Sequence, residues 1–141
     1  MSFKSNVLVV ANRTASSASL ETALHARQES GPANFTLLVP LGHNSAAERT
    51  AADIAARLRD SGLEVESRVG DVDPLNAVLE VWSPAAFDEI IVSTLPASTS
   101  RWMQVGLLRR IERRTGALVR HVEARDAPSM SFGGSLARTS I

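Results

Sequence analysis

Short apolar runs alternate with helical patterns five times along the chain. The first, second and fourth runs, residues 6–11, 35–40 and 89–94, are almost continuously apolar, as in strands that helices cover on both faces. The third run, 63–69, and the fifth, 117–123, mix apolar with charged residues, which indicates strands at the edges of a sheet. The alternation therefore predicts βαβ units and one five-stranded parallel sheet.

The first two intervening segments carry the signals of amphipathic helices. The first helix is expected to begin at a cap on Ser16 or Ser17. In the second, Ser45 followed by Glu48 predicts a capping box, and Gly62 is expected to end the helix. The inward stripes are predicted to contain Leu20, Ala23, Leu24 and the stem of Arg27 in the first helix, and Ala47, Ala51, Ile54, Ala55 and Leu58 in the second.

The last two helices have equally clear limits. Asp73 as cap and Pro74 at the first position predict the start of the third helix, which should stop near Ser83 because Pro84 follows. The fourth helix is expected to run unbroken over residues 100–115 and to end at Gly116. The predicted inward residues are Leu75, Val78, Leu79 and Trp82 in the third helix, and Val105, Leu108 and Ile111 in the fourth.

A ligand of such a sheet would bind beyond the carboxyl ends of the strands, where the strand order reverses. If the first strand is central, the loops of interest are residues 11–16 and 93–101. The second loop is rich in hydroxyl side chains and leads into a helix N-terminus, which favours an anion. Serine and threonine are also ordinary cap and turn residues, so the loop by itself leaves both interpretations open.

Length and composition place the chain among single-domain proteins. Its 141 residues include no cysteine, which excludes disulfides and thiolate metal sites. The N-terminal apolar run, residues 7–11, is too short for a signal peptide or a membrane span. We therefore expect a cytoplasmic protein whose domain covers residues 1–123, followed by a disordered tail at 124–141 that is rich in Ser, Gly and Ala.

The formal net charge of zero hides an asymmetry along the chain. Residues 1–94 carry 7 basic and 12 acidic side chains, whereas residues 95–141 carry 8 basic and 3 acidic ones. Five arginines fall on the predicted fourth helix: Arg101, Arg109, Arg110, Arg113 and Arg114. They form either a solvated helix face or a positive surface for a phosphate or an acidic partner.

Three stretches of the sequence resemble the universal stress protein family over residues 5–123. VLVVANRTASSASLETAL is similar to the family's first strand, ligand loop and helix; RVGDVDPLNAVLEVW resembles its third strand and the Pro-started helix; FDEIIVSTLP resembles its fourth strand and phosphate loop. The resemblance implies a three-layer α/β/α sandwich of the adenine nucleotide alpha hydrolase-like class with strand order 3-2-1-4-5. It also implies a homodimer, paired through the fifth strand, and a stress-related or regulatory role in a bacterial or archaeal cytoplasm.

The ATP-binding branch of the family has Gly, two residues, Gly, nine residues, then Gly with Ser or Thr. Those places fall here on Ser93, Pro96, Gly106 and Leu107, of which Gly106 alone fits. Asn12 stands where the family has an acidic residue after the first strand. We therefore expect no cofactor, with ATP or AMP as the alternative. The candidate ligand-binding residues are Asn12, Arg13, Thr14, Val39, Ser93, Thr94, Ser98, Thr99, Ser100, Arg101 and Gly106.

Other residue types that carry chemistry do not form a recognisable motif. His25, His43 and His121 lack the spacing of metal ligands, and His43 is expected in a turn. Asp71 and Asp73 are expected to form a turn and a helix cap rather than a catalytic pair. Trp82 and Trp102 are predicted to lie in the core or at an interface rather than to stack on nucleic-acid bases.

Two functional hypotheses lead. The first is a non-catalytic, dimeric, stress-related or regulatory module that acts through contacts with an unknown protein partner. The alternative is a nucleotide or phosphate-ligand sensor that uses the loops after the first and fourth strands. A nucleotide hydrolase lacks an identifiable base or metal site, and neither nucleic acid nor a membrane is an expected partner.

Overall fold

The computed structural model describes residues 4–12, 14–96 and 100–124. The strands are β1 (Ser5–Val10), β2 (Ala33–Val39), β3 (Val65–Val69), β4 (Glu89–Thr94) and β5 (Val119–Glu123). The helices are α1 (Ala18–Ser30), α2 (Ser45–Asp60), α3 (Pro74–Val81), α4 (Arg101–Gln104) and α5 (Leu107–Thr115). β1 and β2 differ from the predicted ranges by one or two residues at both ends, β3 and β5 begin two residues later than predicted, and β4 agrees with its range.

The five strands form one parallel sheet in the order β3-β2-β1-β4-β5. This confirms the predicted fold class, including the two edge strands that their mixed composition indicated. β1 is the central strand, and its side chains are covered on both faces of the sheet. Val7 and Val9 enter one core cluster, and Leu8 and Val10 enter the other.

Helices cover both faces of the sheet and complete the α/β/α sandwich. Leu20 and Leu24 of α1 pack with Leu58 of α2 on one face. Val78 of α3 and Ile111 of α5 pack on the other. Ala23 and Arg27, predicted in the inward stripe of α1, are only partly buried.

The first three helices each begin at a residue whose side chain accepts a hydrogen bond from a backbone amide of the first turn. Ser17 caps α1 and accepts a hydrogen bond from the Leu20 amide at 3.1 Å. Asp73 caps α3 as predicted, with Pro74 as the first helical residue. The predicted capping box at Ser45 is wrong, because Asn44 is the cap of α2 and its Oδ1 accepts from the Ala47 amide at 2.8 Å.

The predicted unbroken helix over 100–115 is also wrong. Gly106 has φ 68°, a left-handed backbone that ends α4 and precedes α5. Val105, which directly precedes the break and was predicted to face inward, is 57% exposed. The five arginines predicted on one helix are therefore divided between two helices. Arg101 lies on α4, and the other four lie on α5.

Ala124, assigned to the tail from the sequence, is buried, and its amide donates to the Thr94 carbonyl at 2.8 Å. The remainder of the predicted tail lies outside the described residues. None of the helices in the described part of the chain is long and apolar enough to cross a membrane.

Candidate ligand site at the carboxyl edge of the sheet

A cavity of about 200 Å³ opens where β1 and β4 end side by side. After these two strands the chain leads to opposite sides of the sheet. It passes from β1 to β2, which lies on the far side of β1, and from β4 to β5, which lies on the far side of β4. Such a switch point leaves a crevice between the diverging loops. The described residues that line the cavity are Asn12, Thr14, Ser93, Thr94, Leu95, Ser100, Arg101 and Trp102.

The β1 side of the cavity is a tight turn. The Asn12 carbonyl accepts from the Ala15 amide at 3.1 Å, and the Thr14 carbonyl accepts from the Ser17 amide at 3.0 Å. Because Ser17 also caps α1, the start of that helix fixes the turn. Asn12 and Thr14 therefore reach the cavity from a firmly held backbone.

The β4 side carries two adjacent hydroxyls that point to opposite faces of the strand. Ser93 Oγ lies 2.6 Å from Thr14 Oγ1, a buried contact between residues 79 positions apart in the chain. Thr94 Oγ1 lies 2.7 Å from the Leu95 carbonyl oxygen and 2.7 Å from Nε2 of His121 on β5. The turn after β1 and the end of β4 thus place three hydroxyl groups around one cavity.

The third wall comes from the start of α4. Ser100 Oγ accepts from the Met103 amide at 3.2 Å and so serves as the cap of that helix. Arg101 follows as an exposed cation, and Trp102 is half-buried against the core cluster that includes Leu107 and Ile111 of α5. Because α4 has only four residues, the expected contribution of a long helix dipole to anion binding is absent.

The glycine motif of the ATP-binding branch is replaced by side chains. Ser93, at the place of the first glycine, is buried and fills its space with the contact to Thr14. Gly106, the one matching glycine, adopts a left-handed backbone conformation that explains its presence at the junction of α4 and α5. Gly106 is not among the described residues of the cavity wall.

The structure thus brings together six of the predicted ligand residues: Asn12, Thr14, Ser93, Thr94, Ser100 and Arg101. Val39 lies elsewhere, buried in the core, where its carbonyl accepts from the amides of Leu41 and Gly70. Arg13, Ser98 and Thr99 lie outside the described residues. Leu95 lies in the predicted loop 93–101 but was not among the candidate ligand residues, and Trp102 was predicted only as a core or interface residue.

The charge of the described wall is positive. Arg101 contributes a guanidinium group, and no Asp, Glu or His belongs to the described lining. The side chains are otherwise hydroxyls, one amide and two apolar groups. Such a wall suits an oxygen-rich anion with an apolar portion.

The histidines and paired aspartates have other partners. His25 contacts Ser61 Oγ at 3.1 Å, and His43 contacts Glu80 Oε1 at 3.1 Å. Asp73 Oδ1 accepts from the Leu75 amide at 2.9 Å, as expected of a cap. Among the described residues there is no cluster of three or more side chains able to hold a metal ion.

No family model and no curated protein matches the chain by sequence. Solved structures do match. A universal stress protein in complex with cAMP has a TM-score of 0.60 and 17% identity, with 88% of this chain and 99% of that chain covered. A universal stress protein from Archaeoglobus fulgidus has a TM-score of 0.55 and 15% identity, with 87% and 96% covered. The chain therefore has the fold of universal stress proteins over most of its length.

Proposed function

We propose that the protein is a non-catalytic binder of an adenine nucleotide or a closely related phosphate ester. The observation that carries the proposal is the cavity at the switch point, where Arg101 and several hydroxyls share one wall with Trp102. A guanidinium and hydroxyls are donors suited to phosphate oxygens, and an indole offers an apolar face for a sugar or base. The cAMP complex of a protein with the same fold adds support.

The size of the cavity indicates how such a ligand would bind. Sites for small molecules commonly have roughly 300–1,000 Å³. The cavity here has about 200 Å³, so it would enclose the phosphate and sugar while the base extends toward the open side. This mode differs from the glycine-loop mode of ATP binding, because Ser93 occupies the place of a phosphate-binding glycine.

The described lining favours binding over turnover. Hydrolysis of a phosphate ester needs a general base or a metal ion to activate water. The described lining includes neither a carboxylate nor a histidine, Ser93 and Thr14 contact each other, and His121 contacts Thr94 from outside the described lining. We therefore infer a sensor or carrier role for the nucleotide.

A fluorescence titration tests the proposal. The chain has two tryptophans, so the Trp82→Phe variant leaves Trp102 as the reporter at the cavity. We expect cAMP, AMP or ATP to change its emission with saturation. In that background Arg101→Ala should weaken binding roughly 10- to 100-fold, because it removes a charge-assisted hydrogen bond.

The matched control is Arg109→Ala, which removes the same charge from α5 at a position that is not in the described cavity wall. It should leave the affinity unchanged. Equal weakening by both variants would indicate general electrostatic attraction, and the absence of saturable binding by all three nucleotides would refute the proposed function.

A second candidate function is regulation through protein contacts in a homodimer. The supporting observation is the position of β5 as an outer strand of the sheet, directly after the exposed apolar side chain of Leu118. Edge strands present unpaired backbone groups that another chain can use. The two functions are compatible, because the cavity lies at the carboxyl ends of β1 and β4 and leaves the β5 edge available for a second copy.

A further inference from the structure

The hydroxyl of Thr94 differs from the other hydroxyls of the cavity because its hydrogen is already used. A hydroxyl group has one hydrogen and two lone pairs. Thr94 Oγ1 lies 2.7 Å from the Leu95 carbonyl and 2.7 Å from Nε2 of His121. The carbonyl accepts only, so a hydroxyl that donates to Leu95 must accept from a protonated Nε2.

The other tautomer of His121 leads to the same result. If Nε2 carries no hydrogen, the contact with Thr94 requires the hydroxyl to donate to the ring. In both cases the single hydrogen of Thr94 stays within the protein. Toward the cavity, this side chain therefore offers a lone pair and acts as an acceptor.

The neighbouring groups offer hydrogens instead. Ser100 Oγ accepts from the Met103 amide, and its own hydrogen has no acceptor among the described residues. Thr14 and Ser93 share one hydrogen bond but have two hydrogens, which leaves one for a ligand. Arg101 is a donor only. Asn12 carries both an amide donor and a carbonyl acceptor, so it can serve either role. The wall thus combines several donors with one side chain, Thr94, that can only accept.

We propose that Thr94 selects a ligand with a hydroxyl group next to its phosphate, so that in a bound nucleotide it accepts a hydrogen bond from the ribose. The phosphate then lies toward Ser100 and Arg101. A phosphate oxygen against Thr94 would place two acceptors together without a hydrogen, which is costly because Thr94 is only 2% exposed. The inference rests on the proposed function and specifies which part of the ligand meets β4.

The small cavity favours the ribose over the base as the source of this hydrogen. Thr94 and Ser100 line the same space of about 200 Å³, so the donor and the phosphate of the ligand must be close to each other. In cAMP the 2′-hydroxyl is adjacent to the cyclic phosphate, whereas the 6-amino group lies at the far end of the base. His121, which lies outside the described lining, is then a positioning residue for Thr94.

The test compares cAMP with 2′-deoxy-cAMP in the Trp82→Phe background, with Trp102 emission as the readout. In the otherwise unchanged protein, we expect the deoxy analogue to bind roughly tenfold more weakly. Thr94→Val should weaken cAMP to the level of the deoxy analogue and leave the analogue's own affinity unchanged. The ratio of the two dissociation constants should therefore fall to about one.

Thr94→Ser is the matched control, because it keeps the hydroxyl and should retain the tenfold ratio. The ratio is measured within one protein, so a general loss of stability in a variant does not change it. Thr94→Ala provides a second variant if Thr94→Val does not fold. Cyclic inosine monophosphate, which lacks the 6-amino group, should depend on Thr94 as cAMP does.

The outcomes separate the inference from the proposed function. Equal binding of cAMP and its deoxy analogue to the unchanged protein would overturn the inference and leave the proposed function standing. A tenfold ratio that persists in Thr94→Val would also overturn it, because another residue would then bind the hydroxyl. Absence of binding by both ligands would overturn the proposed function together with the inference.

Discussion

At the scale of single residues, Gly70 shows how closely the sheet and α3 approach each other. A Cβ atom at this position would lie 2.6 Å from Cβ of Ala77 and 3.1 Å from Cδ1 of Leu38. The backbone has little freedom to move away, because the Gly70 amide donates to Val39 and its carbonyl accepts from Gly42. Space, rather than backbone conformation, therefore requires glycine here.

We predict that Gly70→Ala lowers the free energy of unfolding by about 1–3 kcal/mol, the usual cost of inserting a methyl group into a packed core. Urea denaturation followed by circular dichroism measures the change. Gly31→Ala is the control, since the nearest atom to a Cβ there is Nη1 of Arg27 at 3.8 Å and the backbone is extended. Its effect should stay within about 0.5 kcal/mol. Equal losses in both variants would contradict the steric explanation.

At the scale of elements, Glu89 connects α1, β4 and β5 at the end of the sheet opposite to the cavity. Its side chain is 10% exposed, and Oε1 lies 3.0 Å from Nε and 3.0 Å from Nη2 of Arg27. Oε2 lies 3.1 Å from Nε of Arg120, an ion pair without hydrogen-bond geometry. A charge at the start of a buried strand is tolerated because guanidinium groups from two other elements surround it.

Glu89→Gln should destabilise the protein by about 3–5 kcal/mol, because it leaves the guanidinium of Arg27, 13% exposed, without its counter-charge. Chemical denaturation measures this loss. Glu64→Gln serves as control, since it breaks the pair with Lys4, in which both side chains are about half exposed, and should cost less than about 1 kcal/mol. A Glu89 variant as stable as the control would show that the buried ion pair does not hold these elements together.

At the scale of the whole molecule, the sheet has two edges with different surroundings. We propose that two copies associate through the β5 edge, where Leu118 is 58% exposed directly before the strand. The opposite edge is formed by β3, and Val72 in the loop that follows it is 69% exposed. These two apolar side chains provide a test of which edge pairs.

Leu118→Asp should weaken the dimer roughly tenfold or more, because it puts a charge in place of an apolar side chain that the dimer interface would bury. Its backbone contact with Ile90 should persist, since it involves the Leu118 carbonyl. Sedimentation velocity over a range of protein concentrations measures the association. Val72→Asp, the control, should leave it unchanged. A wild-type protein that remains monomeric at high concentration, or a dimer sensitive to Val72 instead, would contradict pairing through β5.

The sequence by itself determined the five strands, the first three helices, the parallel sheet and its edge strands. Burial on two faces leaves a continuous apolar run, and burial on one face leaves a mixed one, so composition records each strand's place in the sheet. The start of α3 at Asp73 and Pro74, and the end of α5 at Gly116, are set by neighbours in the chain and were predicted correctly. The break at Gly106 was missed, because residues 100–115 keep a helical apolar pattern on both sides of it.

Only the tertiary structure decided which of the candidate residues share a cavity and what each hydroxyl offers to a ligand. Ser93 and Thr14 meet across 79 positions, and Thr94 and His121 across 27, because the strand order places β1, β4 and β5 side by side. The same order brings Arg27 and Arg120 to Glu89. A sequence lists donors and acceptors, but contacts between distant residues determine which of them remain available, and those contacts exist only in the folded sheet.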